Sequence, residues 1–373
     1  MTSDSFFERL QGQYSDEWPF VAYRKPGKSS VKALLQKNSK LNYSTEFTES
    51  GFVFSPFDID EPAILIPLES SEIIEISSYH YTSEDSKDIF IGPVIDQTLN
   101  KEQHIDLIRE GLDAIDSGFI DKVVLSRVEK APLSNNAPLS ILQELLSAYP
   151  LAFVYLWFHP EVGLWLGATP ETLLSVRGKN ATTMALAGTQ AYKGSLNVDW
   201  GAKEQNEQQL VTEEIMRKLK TCTSDIKTSE TSTVKAGNLL HLQTMITAKL
   251  KDNDLSRILN ELHPTPAICG LPRNKAMEFI RSYENYDREF YTGFLGELNF
   301  KEHKQRNGRK SNLENIAYRS IMTISSLYVN LRCMQIIGDE IFLYVGGGIT
   351  KESIPNAEWE ETVNKANTMK DVL

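Results

Sequence analysis

Between His104 and Arg127 the apolar residues change period. Ile105, Ile108, Leu112 and Ile115 recur at helical spacing, Ser117-Gly118 interrupts them, and the β-branched run of "DKVVLSR" follows. A helix, a turn and a strand in that order oblige the chain to lay a helix on a sheet. "SILQELLSAYPLAFVYLWF" repeats the order, and "LWLGATPETLLSVRG" and "NATTMALAGTQAYKG" add strands separated by turns. Upstream, "FVAYRKP", "GFVFSPF", "PAILIPL" and "EIIEIS" read as short antiparallel strands. After Trp200 the polar stretch "GAKEQNEQQLVTEEIMRKLKTC" reads as a long helix with an exposed face, anchored by Leu210, Ile215 and Leu219. A Pro/Gly-rich loop, "ELHPTPAICGLPR", leads into another helix, then "REFYTGFLGELNF" and "SSLYVNLRCMQIIGDEIFLYVGGGIT" supply closing strands, and a last helix starts near Asn356. No linker, repeat or low-complexity tract divides the chain. The expectation is one α+β domain, with residues 1–95 forming its N-terminal part and 96–373 the region that carries the motifs below.

Charge and cysteine content narrow the function. A net charge of −11 and a pI near 5.2 repel phosphate backbones and anionic lipid, so neither nucleic acid nor a membrane is expected as partner. The basic stretch "KEHKQRNGRK" at 301–310 reads as a solvated loop. Cys222, Cys269 and Cys333 have no metal-ligand spacing and are odd in number, which fits a reducing compartment. "MTSDSFFERLQGQYSDEW" lacks a targeting pattern, and "LAFVYLWF" is far short of the ~20 residues that span a bilayer. A soluble cytoplasmic protein is expected.

The carboxylates are distributed in a suggestive way. Glu358 and Glu361 in "AEWEET" are three apart and share a helix face, and Glu204 and Glu207 repeat that spacing on the polar helix. Either pair alone reads as a solvated face. Two such faces brought together would hold a hard divalent cation through oxygen ligands, and the absence of an E-x-x-H companion favours magnesium over a di-iron centre. Lys122 at a strand start is either a charged edge residue or, if desolvated, a general base. Glu171 after a Thr-Pro turn is either a turn residue or a partly buried acid. The glycines of "YVGGGIT" lack the dinucleotide-binding spacing but allow backbone N–H groups to approach a carboxylate. Arg332 on a strand suits bidentate carboxylate capture, and His241 reads as a hydrogen-bonded core histidine or a site residue. Residue chemistry alone thus points to a magnesium-dependent enzyme acting on a small anion.

In order, "DKVVLSR", "GATPETLL", "ALAGTQ", "KEQNEQQLV", "LLHLQT", "LHPTPAICGLPR", "REFYTGFLGE", "YVGGGIT" and "EWEETVNKA" resemble the chorismate-utilising enzymes from about residue 100 onward. The resemblance implies one large α+β domain of packed β-sheets with helices outside, and a magnesium-bound chorismate. Within the family, Lys122 together with Ala187 resembles the water-using members, isochorismate synthase first and salicylate synthase second. A non-catalytic pathway scaffold is disfavoured, because it has no need of these acids. By the same resemblance Lys122 would activate water for attack at ring C2, and Glu171 would protonate the departing C4 hydroxyl. Glu207 and Glu361 would hold magnesium directly, and Glu204 and Glu358 would hold its waters. Arg332, Tyr291, Lys365, Gly347 and Gly348 would bind the enolpyruvyl carboxylate. Gly188 and Thr189 would lie near the C4 hydroxyl, His241 and Thr265 near the ring, and Ala267 and Ile268 where the two water-using branches differ. The partners expected are chorismate and isochorismate, the assembly a monomer, and the pathway menaquinone or catechol siderophore synthesis. The short N-terminal part lacks the family's regulatory segment, which argues against tryptophan feedback. The stretch 301–325 is longer than the hairpin expected there, as a loop or a contact for the next enzyme.

Overall fold

The computed structural model describes residues 1–79, 98–133, 138–252, 254–303 and 321–373. Among these, nine strands form one antiparallel sheet in the order Gly270–Leu271, Lys122–Pro132, Glu340–Ile349, Cys333–Ile337, Gly163–Thr169, Phe153–His159, Phe20–Arg24, Val31–Gln36 and Ser71–Ile76. A second, ten-stranded sheet runs Thr223–Thr228, Leu239–Leu250, Asn180–Ala191, Thr172–Arg177, Ile321–Val329, Phe294–His303, Gly51–Ser55, Ala63–Pro67 and Asn42–Ser44, with Ser232–Ala236 paired to Leu239–Leu250. The first seventy-odd residues therefore contribute strands to both sheets.

The strand "FVYLWFH" shows why its apolar run is unbroken. Phe153, Tyr155 and Trp157 face the core between the sheets, whereas Val154, Leu156 and Phe158 meet the helices outside. Side chains alternate along a strand, so a strand covered on both faces needs apolar residues at every position. The outer face of the first sheet is covered by helices Ser3–Ser15 and Pro138–Ala148, and that of the second by Ala202–Cys222 and Leu255–Leu262. Packed sheets with outer helices match the expected fold class. Helix Thr98–Asp116 buries Ile105 and Ile108 as its spacing predicts, while Leu112 and Ile115 are half-buried.

One helix absent from the sequence reading, and one alternative that it left open, have simple causes. The helix Ser3–Ser15 was not anticipated: it fixes only Phe6 and Leu10 in the core, one turn apart, and opens on a Thr2 side-chain cap to the Ser5 N–H. Lys122 is not an edge charge. It is fully buried, because period two puts it on the same face as Val124 while Val123 and Leu125 turn toward helices Thr98–Asp116 and Arg273–Tyr283. The predicted loop at 301–310 and the stretch to 325 lie largely outside the described residues; residues 301–303 end the strand Phe294–His303. Among the described residues no helix is long and apolar enough to cross a membrane.

Candidate active site

A cavity opens where four kinds of backbone meet. The strand Glu340–Ile349 pairs with Lys122–Pro132, Gly348 opposite Val124. This register brings "VGGG" beside Lys122, and a side chain at Gly348 would begin 2.4 Å from Glu207 Oε1 and 3.1 Å from Lys122 Cε, so the Glu207 carboxylate would have to move. Helices Ala202–Cys222 and Pro355–Lys370 deliver Glu207, Glu361 and Lys365 to the same wall. On another wall the ladder between Asn180–Ala191 and Leu239–Leu250 slips between Ala187 and Thr189, and Gly188 there adopts φ +70°. Such a bulge re-aims neighbouring side chains.

Of the residues singled out from sequence, Glu171, Gly188, Thr189, Glu207, His241, Ala267, Ile268, Tyr291, Arg332, Gly347, Gly348, Glu361 and Lys365 line this one cavity. Four do not. Lys122 lies behind Glu207, its Nζ 2.9 Å from Glu207 Oε1. That contact is an ion pair without hydrogen-bond alignment, so the ammonium retains donors. Glu358 is buried beneath Gly347 and ion-paired with Lys203. Glu204 packs its Cβ under Gly188 and turns its carboxylate back over Gly201. Thr265 is buried, and its carbonyl takes the N–H groups of Ile268 (3.1 Å) and Cys269 (3.0 Å), shaping the turn that presents Ala267 and Ile268.

Glu171 is the site's unusual acid. It is 3% exposed, forms no ion pair among the described residues, and burial pushes its carboxyl up to about 8, against the partial opposition of Lys122 and Lys365. It therefore holds a proton at neutral pH. Glu207 goes the other way: burial raises it, but Lys122, Lys365 and Lys203 outweigh burial and hold it lowered. Two carboxyls on one cavity are thus driven in opposite directions, the pattern of an acid and a charge-bearing partner.

Arg332, Lys365 and His241 make the cationic wall. Arg332 Nη2 donates to His241 Nε2 at 2.7 Å, which leaves Nδ1–H to donate to the Gly188 carbonyl at 3.1 Å. Burial first, then the charges of Arg332 and Lys365, push the imidazole well below its ordinary value, so His241 stays neutral and accepts from the guanidinium. Lys365 lies 2.7 Å from Glu361 and donates to the Gly346 carbonyl at 2.9 Å. With Glu171 protonated, the cations Lys122, Lys203, Arg332 and Lys365 stand among four carboxylates, Glu204, Glu207, Glu358 and Glu361, and among the described residues Arg332 forms no ion pair with any of them. That guanidinium on the cavity wall suits an anionic ligand.

Among the described residues no three His, Cys, Asp or Glu side chains form a ready-made cation cage. Glu207, Glu358 and Glu361 instead each sit on a lysine. Yet the donor set is all oxygen, and it converges: Glu358 Oε2, buried without a hydrogen-bond partner, and Glu361 Oε1 both stand 3.8 Å from where a side chain at Gly347 would begin, one residue from the point that Glu207 approaches. These residues fit a hard divalent cation.

Sequence reasoning missed Lys203, Thr292 and Tyr344, although each lies inside a quoted motif. Lys203 had a usable signal, its i,i+4 relation to Glu207. Thr292 and Tyr344 had none, since their place on the cavity depends on strand register.

Family profiles described as chorismate binding enzyme match residues 68–305 and 320–371. The isochorismate synthase MenF of Escherichia coli is 30% identical over 301 residues, covering 75% of this chain and 64% of its own length. The salicylate biosynthesis isochorismate synthase of Pseudomonas aeruginosa is 30% identical over 276 residues, 71% of this chain and 53% of that protein. The chain thus spans less than two thirds of either relative. The structure of the menaquinone-specific isochorismate synthase MenF from E. coli superposes with a TM-score of 0.71 at 22% identity, over 95% of this chain and 89% of the other, a likeness of fold.

Proposed function

The chain belongs to the chorismate-binding enzyme family, and from that premise we propose that it is an isochorismate synthase, converting chorismate reversibly to isochorismate. The observation that carries the reading is Glu171, a buried, protonated carboxyl on the wall of a cavity that also presents Arg332, a guanidinium with no ion pair among the described residues.

Chorismate carries two carboxylates. Arg332 would take the enolpyruvyl carboxylate, with the Tyr291 hydroxyl and the backbone of Gly347 and Gly348 beside it. Lys122, in its amine form, would accept a proton from water as its oxygen bonds to ring C2. The two ring double bonds shift by one position, and the C4 hydroxyl leaves with the proton of Glu171. Protons and charge balance: one water enters, one leaves, and Lys122 and Glu171 exchange roles in the reverse direction. A magnesium ion held by Glu207 and Glu361, with Glu204 and Glu358 behind it, would neutralise the ring carboxylate. The product would feed menaquinone or a catechol siderophore; one structural neighbour is described as menaquinone-specific and one relative as vibriobactin-specific.

Chromatography of the products from chorismate and magnesium tests this. Isochorismate without pyruvate is expected. Salicylate with stoichiometric pyruvate would replace the reading with the other water-using branch, and no consumption of chorismate would end it.

A further inference from the structure

The cavity walls come from segments far apart in the chain, and one buried side chain outside the cavity reaches three of them. Arg288, 2% exposed, opens the motif "REFYTGFLGE". All five of its N–H donors are engaged. Two go to Glu284, Nε to Oε2 at 2.8 Å and Nη2 to Oε1 at 2.6 Å. The other three go to the carbonyl of Val124 (Nη2, 2.7 Å), the carbonyl of Ile268 (Nη1, 3.0 Å) and Thr292 Oγ1 (Nη1, 3.4 Å). Val124, Ile268 and Thr292 all line the cavity.

Each of these contacts fixes something the chemistry uses. Val124 follows Lys122 by two and shares its face. Ile268 completes the turn that presents Ala267. Thr292 has φ +62°, a strained region for a β-branched residue, which persists only where its surroundings over-determine it. Its N–H donates to the Asn330 carbonyl at 2.8 Å, and Arg288 adds the side-chain contact. Glu284 extends the support, because its Oε1 also accepts from the Ser126 N–H (2.7 Å) and hydroxyl (2.8 Å), further along the strand of Lys122.

We infer that Arg288, anchored by Glu284, is a positioning residue: it sets the distance between the Lys122 strand, the 265–268 turn and the strained Thr292, and thereby the width of the cavity. The inference rests on the chorismate reading for its ligand, but not on which product forms. Lysine cannot substitute, having three donors and no planar fork. An ion pair that serves stability alone is replaceable by an uncharged pair of similar volume. A pair that sets wall spacing is not, since the Val124 and Ile268 carbonyls then lose their donors.

The double variant Glu284→Gln/Arg288→Met removes both charges together, and Arg288→Lys keeps the charge with fewer donors. The expected result is a Tm close to wild type for the double variant, with the chorismate Kd in magnesium, measured by calorimetry, weakened at least about tenfold, equivalent to about 1.4 kcal/mol. Arg288→Lys is expected to weaken binding less. A ligand-free readout accompanies this: amide hydrogen exchange should quicken in residues 122–126, 265–269 and 290–293 but not in Phe20–Arg24. Double-variant binding within about twofold of wild type at unchanged Tm, uniform exchange across these segments, or unfolding of both variants would overturn the inference. A wild-type protein that does not bind chorismate would instead defeat the functional reading, and the exchange pattern would still decide this one.

Discussion

Glu171 and Glu297 are both 3% exposed, and both belong to the ten-stranded sheet or its connections, yet they are opposite kinds of acid. Glu297 accepts from the Tyr23 hydroxyl at 2.6 Å and is ion-paired with Lys25 and with Lys32, the latter at 3.2 Å. Burial raises it, but the two lysines and the hydroxyl outweigh burial and hold it lowered. Glu171 has no such partners and is pushed up to about 8. Burial is common to the two, so burial alone does not mark a working acid. What separates them is partner count and empty space: Glu297 is packed beneath the N-terminal strands, whereas Glu171 faces the cavity.

The sharpest way to break this comparison is to remove each acid's proton chemistry in turn. Glu171→Gln should reduce chorismate turnover by about 10²–10⁴-fold without loss of Tm, because the native side chain is already neutral. Lys122→Ala should be at least as damaging to kcat. If initial rates for either variant stay within about tenfold of wild type, the acid–base assignment fails. Glu297→Gln should leave kcat alone and cost about 2–3 kcal/mol in denaturant unfolding. That is less than the cost of breaking a fully buried pair, since Lys25 and Lys32 are partly exposed.

The two acids also carry opposite pH signatures. Between the ordinary value of 4.5 and about 8, folded Glu171 keeps a proton that the unfolded chain releases, so its contribution to stability falls as pH rises through that window. The difference in unfolding free energy between wild type and Glu171→Gln should slope accordingly, no more steeply than about 1.4 kcal/mol per pH unit. Glu297 contributes stability above 4.5 and loses it as pH falls through its lowered folded value. A flat Glu171 difference curve would place that carboxyl with Glu297. The smallest effect belongs to Glu360, which stands between Glu358 and Glu361 in sequence but on the exposed side, 3.6 Å from Lys101. Glu360→Ala should change unfolding free energy by less than about 0.5 kcal/mol and leave turnover unaltered.

How much of this the sequence disclosed follows the range of the interactions involved. The E-x-x-E spacings and the apolar helix repeats are local, and a single segment reveals them. The lysine partners of the carboxylates are not local: Lys203 and Glu358 lie 155 residues apart, and no periodicity links them. The sheet order was equally hidden, because strands buried on both faces show no alternation to assign a face. Lys122 illustrates the cost. Its position at a strand start fits an edge charge as well as a buried base, and the pairing of Gly348 with Val124 is what distinguishes them. Arg288 was passed over because nothing in "REFYTGFLGE" tells a surface arginine from one whose five donors are all spent inside.

The account's central claim is that water is the nucleophile delivered to the ring and that Glu171 supplies the proton to the departing hydroxyl. Turnover of chorismate with magnesium in oxygen-18-labelled water, followed by mass analysis of the product, tests it directly. Isochorismate carrying one labelled hydroxyl, at C2, is predicted, with the Glu171→Gln variant forming it about 10²–10⁴-fold more slowly. Unlabelled isochorismate, or a rate of label incorporation undiminished by that substitution, would contradict it.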